Sequence, residues 1–407
     1  MIEMRRKVSL LPPQPVPVSP QPLRDGPMAE RPAAAAAETP YYSRHYASNA
    51  LDSRLPGVLG DGEWKTGWSA PTPAELLSIA RVDRRIVCQW PGVWRLYASG
   101  GKQIQEDYCG QSPIVADPGS KAFQLITATS SWEVRLLETG ELAFQNALPY
   151  DENYAWPVLF RTGNRMLAFA SIRPAFRHGG QEKGSSLLQL MELATPVQTD
   201  ASKLVQNLTR FESLAIGLEN AIAAAEGDVV AVAAQGVLLL FDSSLQVKGA
   251  YAGDFAPHQM SLDESKWVYL VVESAGKKAL WVVTPDGVRA ASSAFPPELG
   301  DLVQPPILGF DRKIYLLSAS RLAALTPRAQ VLWIKEVPGG STGAGVTVDG
   351  RVLVAAGSSV LAFDAAGAHR LLHQFDERIT TPPVYTAHHE ILVGAGAKLY
   401  CLVRVTA

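Results

Sequence analysis

The chain has 407 residues, 47% of them hydrophobic and only 19% charged, so it has ample apolar surface to bury and lacks the composition of a disordered protein. Its formal net charge of −2 supplies no basic field to draw it onto phosphate, and no run approaches the about 18 apolar residues of a spanning helix, so neither nucleic acid nor membrane insertion is expected. Three scattered cysteines, Cys88, Cys109 and Cys401, form neither a disulfide framework nor a C-x-x-C site and read as buried free thiols.

Residues 1–56 are rich in Pro, Ala and Ser with little periodic pattern, the composition of a largely disordered tail. Arg5, Arg6 and Lys7 are followed by Pro12, Pro13, Pro15 and Pro17 before any apolar stretch of signal-peptide length develops, which points to a cytoplasmic protein. The cluster Tyr41, Tyr42, Arg44, His45 and Tyr46 leaves open a short anchoring segment within the tail. The sequon at Asn207 carries no weight without a secretory context.

From residue 57 to 407 the sequence reads as one domain built from a repeat. Eight apolar runs end in a turn cluster: VWRLYASG (93–100), EVRLLETG (133–140), LLQLMELA (187–194), LLLFDSSL (238–245), LWVVTPDG (280–287), LAALTPRA (322–329), VLAFDAAG (360–367) and LYCLVRVT (399–406). Each is preceded by a second β-rich run: RIVCQW (85–90), KAFQLIT (121–127), RMLAFAS (165–171), DVVAVAA (228–234), KWVYLVV (266–272), KIYLLSA (313–319), RVLVAAG (351–357) and EILVGAG (390–396). Several units open with proline, at Pro113, Pro157, Pro257, Pro305-Pro306 and Pro382-Pro383, where a missing N–H is tolerated at a strand start. Asp349-Gly350, Asp311-Arg312 and Glu226-Gly227 then make the tight turn to the next run. A period of about 40 residues with four short strands per unit predicts an all-β fold, an eight-bladed β-propeller of four-stranded antiparallel blades.

Residues 305–333 combine a Pro-Pro opening, an apolar strand, a tight turn, Ile-Tyr-Leu, Leu-x-Ala-Leu-x-Pro and Leu-Trp. This unit resembles the quinoprotein-like (PQQ-like) repeat, well over residues 303–404 and more loosely upstream. The resemblance implies the propeller of quinone-dependent dehydrogenases and of the outer-membrane assembly lipoproteins that share their fold, and it implies fold rather than activity. The dehydrogenases hold quinone and calcium beside a disulfide between adjacent cysteines, and no adjacent cysteines occur here. The blade-ending tryptophan of those enzymes appears at Trp333 and is replaced around Phe144, Ala290 and His373, so no cofactor is expected. Neither a signal peptide nor a lipobox accompanies the resemblance to the lipoproteins.

The polar candidates have ordinary readings. His369 and His373 are four apart, which in a strand separates them by about 13 Å; His388-His389 falls where other units turn. Asp242, Asp286 and Asp364 share a register position and read as turn residues. Gly339–Gly343 lacks the Lys-Ser/Thr of a phosphate loop, and no Gly-x-Ser-x-Gly nucleophile elbow occurs.

The repeat is elaborated in three places: insertions at 172–185 and 195–219, and the link 145–156. Read as a strand-two-to-three connection flanked by two inter-blade links, all three leave one rim. Tyr150, Tyr154, Trp156, Arg173, Phe176 and Arg177 there are side chains enriched at interface hot spots, and they either anchor a partner or pack the insertions together. Part of 201–215 has the spacing of a short helix. The expectation is a non-enzymatic, monomeric propeller that binds a protein partner within a complex, the alternatives being a cofactor-binding or enzymatic propeller that uses the central channel and an exported assembly factor. The last unit stops after three strands, and GEWKTGWS (62–69), with Trp64 and Trp68, is the expected N-terminal strand that completes it.

Overall fold

The computed structural model describes residues 20–26, 42–43, 54–55, 57–82, 84–109, 115–117, 122–126, 131–147, 158–162, 165–172, 187–193, 208–215, 222–226, 228–242, 246–385 and 389–405. These contain no helix, and their strands form eight sheets. In chain order the first seven run from Ser78 to Tyr108, Val115 to Ala147, Val158 to Ala215, Ile222 to Ala252, Ala256 to Ala294, Ile307 to Glu336 and Ser341 to Gln374, each with four successive antiparallel strands. The eighth joins Val384–Tyr385, Glu390–Ala395 and Lys398–Arg404 to Trp64–Pro71 from the other end of the sequence.

The two apolar runs of every unit are the second and third strands. They are continuous hydrophobic runs because both of their faces are covered, so Val352–Ala356 and Ile314–Leu317 are buried throughout. Alternate residues serve opposite neighbours. Val352, Val354 and Ala356 pack with the sixth sheet, whereas Leu353 and Ala355 pack with the eighth. In the same way Leu392 faces the first sheet while Ile391 and Val393 face the seventh. A one-residue slip would exchange the two interfaces wholesale, which pins the register. Gly345, in the first strand of the seventh sheet, makes room for the N-terminal stretch: the side chain of Leu55 fills the space that a Cβ would occupy.

First strands of consecutive sheets lie side by side, and so do those of the eighth and first. Between the fifth and sixth, Ser261 Oγ donates to the Pro306 carbonyl (2.7 Å) and Gln259 Nε2 to that of Leu302 (3.1 Å). Fourth strands face outward and are half polar; Val331–Glu336 is exposed along much of its length.

Two readings of the sequence are corrected here. Leu208–Ala215 is the fourth strand of the third sheet, antiparallel to Leu187–Leu193, and not a helix. Leu208, Phe211, Leu214 and Ala215 have helical spacing, but an outer strand needs no strict alternation and the backbone pairing decides. The insertion 195–219 therefore divides: 194–207 connects the third and fourth strands of that sheet, and only 216–221 links it to the next.

Parts of the N-terminal stretch are also paired. Gln21–Pro22 and Arg24–Asp25 add in parallel to the outer strands of the fourth and fifth sheets. Tyr42–Ser43 pairs with the first strand of the first sheet, and Arg54–Leu55 with that of the seventh. Apart from Pro20, Leu23 and Gly26, the remainder of 1–56 lies outside the described residues.

Trp64–Pro71 runs from Trp64 opposite Arg404 to Pro71 opposite Lys398. Its Trp64 enters the core between the seventh and eighth sheets, and its Ala70 the core between the eighth and first. Deleting residues 1–71 is expected to lower the melting midpoint by more than about 10 °C or to leave the protein insoluble, while deleting 1–50 shifts it only slightly. Equal midpoints for the two truncations would show that the pairing carries no stability.

Candidate functional site

One end of the fourth, fifth, sixth and seventh sheets is shut by a recurrent turn. Asp242, Thr284, Thr326 and Asp364 stand between third and fourth strands, Asp263 and Thr347 between first and second. In all six the backbone N–H donates to the carbonyl four residues on, and the N–H of that later residue donates back to the Asp or Thr side-chain oxygen, at 2.8–3.2 Å. The residue before the last is left-handed: Lys266, Gly287, Ala329, Gly350 and Gly367 have φ between 60° and 79°. This is a tight turn followed by a bulge, matching the register shifts at Leu240/Phe241, Val282/Val283 and Ala324/Leu325. Asp242 and Asp364 are turn caps, as their register position suggests; Asp286 instead accepts from the Thr284 hydroxyl.

The same turns receive the neighbouring sheet. Trp333 Nε1 donates to the Ala365 carbonyl at 3.0 Å, and its ring lies where a Cβ on Gly367 would be 2.9 Å from Cδ2. Trp68 covers Gly101 likewise, and Gln105 covers Gly140. In the fourth sheet Gly249 leaves the equivalent place empty; Tyr251, two residues on and on the same face, leans across it, overlies Gly287 and donates to the Pro285 carbonyl at 2.6 Å.

A strap crosses this end from the axial edge to the outer strand. Arg351 Nη1 and Arg370 Nη2 donate to the Gly60 carbonyl at 2.8 and 2.5 Å, and Arg351 also pairs with Asp61 at 2.8 Å. Arg404 reaches the Leu59 carbonyl, Leu59 N–H donates to Asp349 Oδ1 at 3.2 Å, and the Tyr385 hydroxyl donates to the Val58 carbonyl at 2.9 Å. Leu55 and Leu59 are fully buried beneath. The Arg351 hydrogen bond holds the Asp61 carboxyl below the usual carboxylate range.

The remaining candidates resolve to structure. His369 and His373 lie in the outer strand of the seventh sheet, packed on Phe363 and Phe375, and His389 is an exposed left-handed turn residue with φ 57°. Gly339 and Gly340 let the chain pass against Gly357, whose N–H donates to the Gly340 carbonyl at 2.7 Å. Among the described residues no group of three or more His, Cys, Asp or Glu is placed to hold a metal ion, and no helix is long and apolar enough to cross a membrane. The three cysteines are free and buried; burial raises all three thiol pKa values, those of Cys109 and Cys401 to about 12.

All six rim residues, Tyr150, Tyr154, Trp156, Arg173, Phe176 and Arg177, lie outside the described residues, as does His388. The strand ends flanking them are described. The connection 148–157 leaves the fourth strand of the second sheet at Ala147 and enters the third sheet at Val158; 173–186 leaves the second strand of the third sheet at Ile172 and returns at Leu187. Alternating strand direction puts both connections on the face away from the capped turns. The connection 194–207, between third and fourth strands, leaves from the capped face, so the expectation that all three elaborations share one rim is corrected to two.

Similar architecture is found in BamB from Moraxella catarrhalis (11% identity, TM-score 0.56, covering 84% of this chain and 99% of that one). The Dos1 propeller (11%, 0.59, 84% and 96%) and the C-terminal WD40 domain of Sif2 (10%, 0.56, 86% and 100%) are similar to the same degree. The chain is a β-propeller. At these identities the likeness concerns the fold alone; no protein-family model and no curated protein matches the sequence.

Two outcomes follow for this propeller. Gly287→Ala places a Cβ against the Tyr251 ring at φ 77° and is expected to cost about 2–4 kcal/mol, whereas Gly92→Ala, at φ 81° with open space around it, costs about 1 kcal/mol; chemical denaturation of both compares them. A thiol reagent at pH 8 should label none of the three cysteines in the folded protein and all three in denaturant; labelling of the folded protein would contradict their burial.

Proposed function

We propose that this protein is a non-enzymatic, protein-binding propeller of eight blades, closed by Trp64–Pro71, that presents to its partner the rim formed by the connections 148–157 and 173–186. One observation carries the reading: the flanking strand ends make both connections leave adjacent blades, the second and third, on the same face. The six side chains Tyr150, Tyr154, Trp156, Arg173, Phe176 and Arg177 all belong to these two connections, so aromatic rings and arginines are concentrated over one sector of a rigid scaffold. The moved connection, 194–207, contains none of them.

The axial edge supports the rim over the channel. Two of the eight first strands already pair with the chain's own residues 42–43 and 54–55, which approach one another there. The closed ring is supported by the first strands that adjoin from the eighth sheet to the first, and by Trp68 docking on Gly101 as Trp333 docks on Gly367.

Affinity purification of the tagged protein identifies the partner, and replacing 173–185 by a short Gly-Ser turn tests the rim. The replacement should leave the far-UV spectrum and melting midpoint nearly unchanged and abolish capture of that partner. Capture at the original level would refute the assignment.

A further inference from the structure

Among the described residues, an additional strand covers the outer edge of only the fourth and fifth sheets, and a single stretch, PQPLRDG (20–26), supplies it to both. Leu23 N–H donates to the Ala252 carbonyl at 2.9 Å and Arg24 N–H to that of Gly287 at 3.2 Å, so the peptide steps from one blade to the next across their seam. The seam is shaped for it. Bare Gly253 leaves room for Leu23, whose Cδ1 would sit 3.3 Å from a Cβ there, and Leu23 packs against the apolar core shared by the two blades. Two residues on, Asp25 accepts two hydrogen bonds from Arg289, at 2.7 and 2.9 Å, while the Arg289 guanidinium lies 4.6 Å from the centre of the Trp281 ring.

These contacts have the form of peptide recognition on an exposed sheet edge: main-chain hydrogen bonds, one apolar anchor and one charged fork. They also have the form of a weak ligand. Gln21, Pro22, Arg24 and Asp25 are exposed, the parallel pairing is two residues long on each blade, and the next described residue is Tyr42. Affinity too low to matter in solution suffices for a segment tethered at an effective concentration in the millimolar range.

We propose that the outer seam between the fourth and fifth blades is a linear-peptide site, that residues 20–26 fill it intramolecularly, and that it takes in exchange an extended, proline-restrained segment of a partner protein with a leucine-sized side chain followed two residues later by a carboxylate. This site goes beyond the rim reading and does not depend on it, since the rim lies over the second and third blades.

The test uses the full chain and a fluorescent peptide of residues 18–28. Leu23→Ser with Asp25→Ser empties the seam by removing the anchor and the carboxylate that Arg289 holds, and leaves no charge that a substituted residue 289 could recapture. By anisotropy the peptide should bind this variant at least tenfold more tightly than the unaltered protein, where the site is occupied. Adding Arg289→Glu should cost at least tenfold, and a peptide carrying Asp25→Arg should regain that loss, a charge reversal that a merely structural arginine would not support. Equal binding to the emptied and unaltered proteins, no binding to the emptied one, or failure of the reversal in a variant of unchanged melting midpoint would each overturn the proposal. So would a dimer of the unaltered chain that the emptying substitutions dissolve, because the occupant would then be a second copy's segment. The rim replacement leaves all these readings unchanged.

Discussion

Where their burial is described, the middle strands of these sheets are apolar on both faces, and that constraint organises the rest. A sheet with one wet face can end a structure; a sheet such as Val352–Ala356 with its neighbours cannot, because alternate residues belong to cores on either side. Such a sheet needs a neighbour on each side, and the eighth sheet and the first share a core as consecutive sheets do. Ile79, Ile86, Cys88 and Trp90 meet Val384, Leu392, Leu399 and Cys401 in a core of the same kind as those between consecutive sheets. The pairing of Trp64–Pro71 with Lys398–Arg404 belongs to the same requirement, since it removes an edge where the two ends of the sequence come together.

The middle strands were legible because their burial on both faces writes continuous Val, Ile and Leu runs into the sequence. Outer strands were less so. Leu208–Ala215 answers to solvent on one side and to a backbone partner on the other, and neither demands a period of two. The paired parts of the N-terminal stretch left almost no trace, for a different reason: they are held largely through carbonyl oxygens and amide hydrogens, with single side chains such as Leu23, Asp25 and Leu55 spaced too far apart to make a pattern. Gly60 is gripped by Arg351 and Arg370 through an oxygen that every residue possesses, so nothing in the letters GVLGDGE announces a strap. Of the candidate site, the sequence located the strand ends from which two elaborations depart, while the rim residues themselves lie outside the described residues; the face from which the third departs depended on a strand the sequence disguised.

The capped turns divide the two faces of the propeller between different tasks. On one face, Asp and Thr side chains bond back to their own turns, outer-strand aromatics dock on the left-handed residues, and little freedom remains. The other face is not free of such bonds, since Arg321 N–H donates to Ser318 Oγ and Ser341 Oγ to the Ser318 carbonyl, but it is the face from which the connections 148–157 and 173–186 depart. The docking position itself is redundant in sequence. Tyr251 reaches over Gly249 to the place Trp333 fills directly, so a fixed spacing of tryptophans marks only some of the seams that share the geometry.

The register of the terminal strand pair has a mechanical consequence. Trp64 lies opposite Arg404, so the chain enters and leaves the pair at the same end. Tension applied between residues preceding Trp64 and the residue following Arg404 would peel the strands apart one rung at a time, the compliant geometry, and would not load all rungs together. The strap stands at that end: the Val405 N–H donates to the Glu63 carbonyl at 2.9 Å and Arg404 reaches Leu59, while Arg351 and Arg370 tie Gly60 to the seventh sheet. Force must first part these ties, so the arginines act as a latch in front of a zipper.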